Sequence, residues 1–208
     1  MFRAGGNNPI TIDISELDGL ILDMRKIHTK QEYEQLMLRA FRRTGTRVKT
    51  ILGKEIPKEY EAKSTWIKSN VGRPRTGFGG GNGASVSCSI PIDGARGVHG
   101  WQFRTSKPRG RPAKGRRYKI ATHMIKGQTG ELPPVMKNQG GNPPFIGPNG
   151  IVFTRKTDKR LPIVRVAGIG IPQMPINRSE DDIQEEIIDT LKKRIEHEHN
   201  YLISKLGR

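Results

Sequence analysis

Two amphipathic helical patterns bracket this chain, and the stretch between them cannot continue either one. The second is the clearer. Ile183, Ile187, Ile188, Leu191, Ile195, Leu202 and Leu206 recur at the spacing that lines one face of a helix. Ser179 stands before them as an N-cap, and Glu180, Asp181 and Asp182 fill the first turn, opposing the positive end of the helix dipole. At the other end, Ser15-Glu-Leu-Asp opens a helix carrying Leu17, Leu20, Ile21, Met24 and Ile27. Thr29-Lys-Gln-Glu32 is a full capping box. Behind it Tyr33, Leu36, Met37, Ala40, Phe41, Val48, Ile51 and Leu52 share one face for about six turns. Gly45 interrupts that face at a cost of about 1 kcal/mol. Pro57 suits the first turn of a third, weaker helix with Tyr60, Trp66 and Ile67.

After "NVGRPRTGFGGGNG", which reads as the loop ending the helical part, the period changes to two. "ASVSCSIPI" alternates Val86, Cys88 and Ile90 with small or polar residues, and "GWQFRTS" and "RRYKIATHMI" are further strand candidates. "GELPPVMKNQGGNPPFIGPNG" is turn-rich and irregular. "GIVFTRKTDKRLPIVRVAG" reads as a hairpin with Thr157-Asp158-Lys159 near its turn, and the prolines of "IPQMPI" imply an extended segment. The expected class is α+β: a helical arm, a small antiparallel sheet with long loops, and a C-terminal helix packed on the sheet. The expected boundaries are an N-terminal extension 1–14, a helical arm 15–76, a β region 84–176 and the final helix 177–208, forming one domain with arms. With 25 glycines, 14 prolines and 33% hydrophobic residues, the core is expected to be modest and steadied by neighbouring subunits.

Charge is distributed as unevenly as structure. Residues 62–179 hold 21 of the 37 Lys and Arg but only Asp93, Glu131 and Asp158 of the 20 acidic residues, whereas the flanks sum to −1. Such a field attracts a polyanion or an acidic partner surface. Its densest part contains Arg104, Lys107, Arg109, Arg111, Lys114, Arg116, Arg117 and Lys119. Within it, Pro-Arg-Gly-Arg-Pro matches the core of an AT-hook, in which two arginines lie along a narrow minor groove. Strand candidates bracket the match, so the favoured reading is a strand-connecting loop, 104–119, touching phosphates without base preference or an acidic protein surface.

Catalysis finds little support. "GFGGGNG" lacks the lysine and the strand-to-helix setting of a phosphate loop. His197 and His199 lie two apart on a helix and point to different sides, so no zinc pair forms there. His99 and His123 stand alone, and the single cysteine, Cys88, reads as a small core residue. No catalytic residue, cofactor or metal is expected. No segment approaches the length of a membrane span and the start lacks a signal-peptide core, so a soluble protein of a reducing compartment is expected.

The order of segments is more telling than any motif. "VKTILGKEIPKEYEAKSTWIK" is followed by the small sheet and its basic loop. The hairpin "GPNGIVFTRKTDKRLPIVRVAG", then "IPQMPI" and "EEIIDTLKKRIEHEHNYLISKL", complete the chain. This order resembles the minor tail protein Z family of long-tailed bacteriophages, related to neck and tail-completion proteins. The resemblance runs from about Leu17 onward and is most specific in the hairpin and final helix. It departs at Met1 to Ile14 and in the excursion 127–150. It implies a virion structural protein with no catalytic residues, made in the host cytoplasm. Such a protein forms a ring, hexameric in one arrangement, at the head-proximal end of the tail. Its implied partners are tail-terminator, tail-tube or head–tail connector proteins, with duplex DNA in the channel bound without sequence preference. The helix faces bearing Leu36, Phe41, Val48, Ile183, Ile187, Leu191, Ile195 and Leu202 are either subunit interfaces or core. The alternative is a sequence-tolerant or AT-hook-type DNA-binding protein, with a basic ribosome-associated protein as a third reading.

Overall fold

In the computed structural model, which describes residues 17–79, 85–93, 96–106, 119–133 and 142–206, the capping box at Thr29 closes as its spacing requires. The Thr29 hydroxyl accepts from the Glu32 amide at 3.4 Å, and the Glu32 carboxylate accepts from the Thr29 amide at 2.9 Å. From this start α2 runs from Lys30 to Glu59, preceded by α1 (Asp18–Ile27). Ile27 is exposed, although it follows the spacing of the α1 apolar face. Pro57 does not open a new helix but lies in the last turn of α2. It gives up one i→i−4 bond there, and the helix ends two residues later with the Tyr60 amide donating the closing bond to Ile56 at 3.0 Å. The third helix, α3, is the short Ser64–Ser69.

The final helix, α4 (Glu180–Leu206), runs antiparallel to α2. Ion pairs join Lys54 to Glu186 near its start and Arg43 to Glu198 near its end. Its main partner is therefore α2 rather than a sheet. One cluster joins Leu36, Met37 and Phe41 to Ile188, Leu191, Ile195 and Leu202, with Met24 of α1 and the preceding Leu17 closing it. A second joins Val48, Ile51, Leu52 and Ile56 to Ile183 and Ile187, and strand-region residues Ile90, Ile92 and Phe103 share it.

Two expectations fail at the entrance to α4. "IPQMPI" is not extended: Pro175–Ser179 forms a π-helical turn that leads directly into α4. Proline excludes a helix interior but not its first turn, and Pro175 occupies that turn. Ser179 consequently sits inside the helical run, buried, and does not cap it.

The β region contains ten short strands among the described residues. They are β1 (Arg75–Gly79), β2 (Ser85–Ser89), β3 (Arg96–Val98), β4 (Arg104–Ser106) and β5 (Ala121–His123). After these come β6 (Gly130–Glu131), β7 (Phe145–Ile146), β8 (Val152–Arg155), β9 (Ile163–Arg165) and β10 (Ala167–Gly170). They form four antiparallel pieces, β1-β2, β3-β10, β4-β5-β6 and β7-β8-β9, where one small sheet was expected. Strand β1 lies where the sequence reads as a glycine loop. Its pairing with β2, Thr76 opposite Cys88, supplies what its own residues do not. The excursion 127–150 holds β6, β7 and a 3₁₀ turn at Pro148–Gly150, and its residues 134–141 lie outside the described structure.

Backbone bonds at His99 tie two pieces together. Its amide donates to Val166 at 3.1 Å and its carbonyl accepts from Val152 at 3.0 Å. The β1-β2 ribbon rests directly on α2 at Gly45, where a Cβ would lie 2.6 Å from the Pro74 Cβ and 2.9 Å from the Cys88 sulfur. Gly45 is thus not an interruption that the helix tolerates. It is the contact that seats the ribbon. The class is α+β, and no helix among the described residues is long and apolar enough to cross a membrane.

Candidate functional site

The basic stretch is bracketed as its flanks suggest. Strands β4 and β5 pair with each other, Arg104 opposite His123 and Ser106 opposite Ala121, so the segment between them joins one antiparallel pair. Arg104 is exposed at the start of β4, and Lys119 is exposed with its ammonium 3.5 Å from Glu131. Lys107, Arg109, Arg111, Lys114, Arg116 and Arg117 lie outside the described residues.

Beside this hairpin, Trp101, Phe103 and Arg104 line an open cleft of about 610 Å³ with Tyr60, Lys63 and Lys126. Trp101 is half exposed, and the Arg165 guanidinium lies over its ring at 5.1 Å. This cation–π contact covers one apolar face while leaving the charge in water. Gly100 makes the turn with φ of +83°, a left-handed conformation that a side chain resists.

His123 does not stand alone, since its Nε2 lies 2.9 Å from the Ser106 hydroxyl across the β4-β5 pair. His99 is buried against Phe103, with ring centroids 5.8 Å apart, and desolvation pushes its imidazole down to about 4. It is neutral at ordinary pH. Burial pushes the Cys88 thiol up, and its sulfur lies 3.7 Å from the Phe41 carbonyl. A protonated thiol held this way is not a nucleophile. His199 Nδ1 lies 2.8 Å from His28 Nε2, while His197 faces solvent beside Glu198, so the two histidines do point apart. Among the described residues no group of three or more His, Cys, Asp or Glu side chains is placed to hold a metal.

Leu36, Phe41, Val48, Ile183, Ile187, Leu191, Ile195 and Leu202 are all buried inside this one chain. They form its core and are not free faces for a neighbour.

Sequence reasoning missed a second basic surface. The solvent side of α2 carries Arg42, Arg43, Arg47 and Lys49, all exposed. Two grooves run along it and share Thr46. One, of about 480 Å³, is lined by Arg43, Thr46, Arg47, Thr50 and Arg194 of α4. The other, of about 440 Å³, is lined by Arg42, Gly45, Thr46, Lys49 and the segment Val71–Pro74, which brings Arg73. The signal lay in the spacing: Arg42, Gly45, Thr46, Lys49 and Arg43, Thr46, Arg47, Thr50 are two helical rows at i, i+3, i+4 and i+7. Counting charge along the chain hid them, because acidic residues elsewhere in the flanks cancel them in the sum.

No protein-family model matches the chain, and neither a curated protein nor a solved structure matches it.

Proposed function

We propose that this chain is a structural subunit of a bacteriophage tail, a tail-completion or neck component that closes into a ring at the head-proximal end. The observation that carries the reading is the β8-β9 hairpin. The segment in which the resemblance to the tail protein family is most specific also presents bare apolar side chains. Leu161 is 66% and Ile163 is 41% exposed at the end of this hairpin, among the exposed cations Arg155, Lys156, Lys159 and Arg160. Strand β9 is an edge of its piece, and a neighbour's strand can add to such an edge through backbone bonds. Ring closure needs two different faces to meet, and a protruding hairpin meeting another part of the next copy satisfies that requirement. The open edges of the other pieces support the same reading: among the described residues only β5 and β8 are flanked on both sides.

In this role the chain performs no chemistry. It buries apolar hairpin ends and strand edges against its neighbours, and its cations face the tail channel or an acidic ring. Mass photometry across a concentration series, with negative-stain microscopy, tests the ring. Closed particles at one multiple of 23.3 kDa are expected, and Leu161→Asp with Ile163→Asp should leave a folded monomer. A chain that stays monomeric at every concentration overturns the ring. A preference for A·T duplexes, abolished by Arg109→Ala with Arg111→Ala, would put the AT-hook reading in its place.

A further inference from the structure

We propose that the solvent face of α2, with the adjoining Arg73 and Arg194, is a binding site for the phosphate backbone of a nucleic-acid duplex. The inference does not require the chain to form rings. It rests on three observations about the same surface.

The first is unneutralised charge. Arg43 is paired with the buried Glu198, but among the described residues no carboxylate lies within ion-pair distance of Arg42, Arg47, Lys49, Arg73 or Arg194. Five cations around two adjoining grooves repel one another, and an anionic ligand relieves that repulsion.

The second is rigidity. Arg42, Arg47 and Lys49 project from one helix whose opposite face, Phe41, Val48 and Leu52, is locked in the core. Seven residues of helix place Arg42 and Lys49 about 10 Å apart along the axis. Arg73 is held against the same helix because Gly45 lets Pro74 approach. The cations are thus presented as a fixed array, not as a flexible tail.

The third observation decides the class of ligand. A protein interface carries an apolar centre. Among the described residues the large exposed apolar side chains, Leu22, Ile27, Trp101, Leu161, Ile163 and Tyr201, all lie off these grooves. A polar, strongly positive surface is the signature of nucleic-acid contact. Single strands are held by stacking on aromatic rings, and among the described residues neither groove is lined by one. What remains is a duplex gripped by its phosphates, without base readout.

The test is fluorescence anisotropy over a salt series, using wild type, the face variant Arg42→Gln/Arg47→Gln/Lys49→Gln, and the loop variant Arg109→Gln/Arg111→Gln. The probes are a mixed-sequence DNA duplex, the same sequence as an RNA duplex, oligo(dT) and polyglutamate. Glutamine keeps helix propensity, and circular dichroism confirms the fold. The expected result is duplex binding that falls at least tenfold in the face variant. Its log–log salt slope should flatten by about 0.9 for each DNA phosphate that the variant no longer neutralises. Equal binding of DNA and RNA duplexes supports a site that reads only phosphates, and DNA preferred over RNA narrows it to B-form spacing. Unchanged affinity and slope in the face variant overturn the proposal, as do tighter binding to oligo(dT) and polyglutamate binding that disappears in the same variant. Particle mass, measured separately, reports on the ring, so either reading can fail alone.

Discussion

The helical and strand halves of this molecule solve the same problem with unequal means. Helices α2 and α4 satisfy their own backbone bonds, so each needs only one apolar stripe buried, and each finds it on the other. The strand half needs partners for its backbone as well as its side chains. Among the described residues it has four pieces of two or three strands, and the one cluster wholly its own is Ile120, Leu132, Val152 and Val166. Elsewhere its apolar residues, such as Ile90 and Phe103, are buried against the helices. A helix pair can therefore be complete within a chain, whereas small sheets stay stable by leaning on something else. Here that is α2 and, in the proposed ring, a neighbour.

Truncation should expose the contrast most strongly. Leu52→Ala, in the fully buried helical core, should cost about 3–5 kcal/mol in urea unfolding followed by circular dichroism. Leu132→Ala, in the small strand cluster, should cost about 2 kcal/mol or less, since the residue already touches solvent. Equal losses would break the comparison and make the two halves one cooperative core.

Acid should attack the strand half through His99, which links its pieces. Because the folded-state pKa, about 4, lies below the unfolded value near 6.5, the unfolded chain binds the extra proton first. Stability is unaffected above pH 6.5, falls as the pH drops toward 4, and levels off below. The loss is about 3 kcal/mol. His99→Gln should remove that part of the slope, measured as the difference between two denaturation series. An unchanged slope would mean that His99 is hydrated and that the strand half is looser than its burial implies.

A change at Gly45 tests the seam between the halves. An alanine in a helix interior ordinarily gains about 1 kcal/mol over glycine. Gly45→Ala should instead destabilise by about 1–3 kcal/mol, because the new methyl meets Pro74 and Cys88. A gain in stability would show that the ribbon is not seated on α2.

Much of the helical half was legible because its signals are local. The Thr29 capping box, the stripe from Tyr33 to Leu52 and the stripe from Ile183 to Leu202 all depend on residues three or four apart, and they fold as spaced. The hairpins β4-β5 and β8-β9 were legible for the same reason, at period two. The misreadings share a cause. Pro57, Pro175 and Gly45 were judged by residue type, yet what each does depends on its place in the helix and on what packs there. Strand β1 has almost no propensity of its own and exists because β2 lies beside it. Of the candidate site, the basic loop was visible as a run of charge, whereas the α2 rows were visible only in helical spacing and the cations Arg73 and Arg194 join them only in space.

By itself, the sequence determined that a long helix lies toward each end of the chain, which faces those helices bury, and that the described residues between them include short strands. Helical periodicity and capping act within a few residues and need no tertiary context. Only the tertiary structure decided that α4 pairs with α2, that the strands divide into four pieces, and that a glycine carries the ribbon. It alone brought cations from three separate segments around two adjoining grooves. Such facts rest on contacts between residues far apart in the chain, whose partners no local pattern specifies.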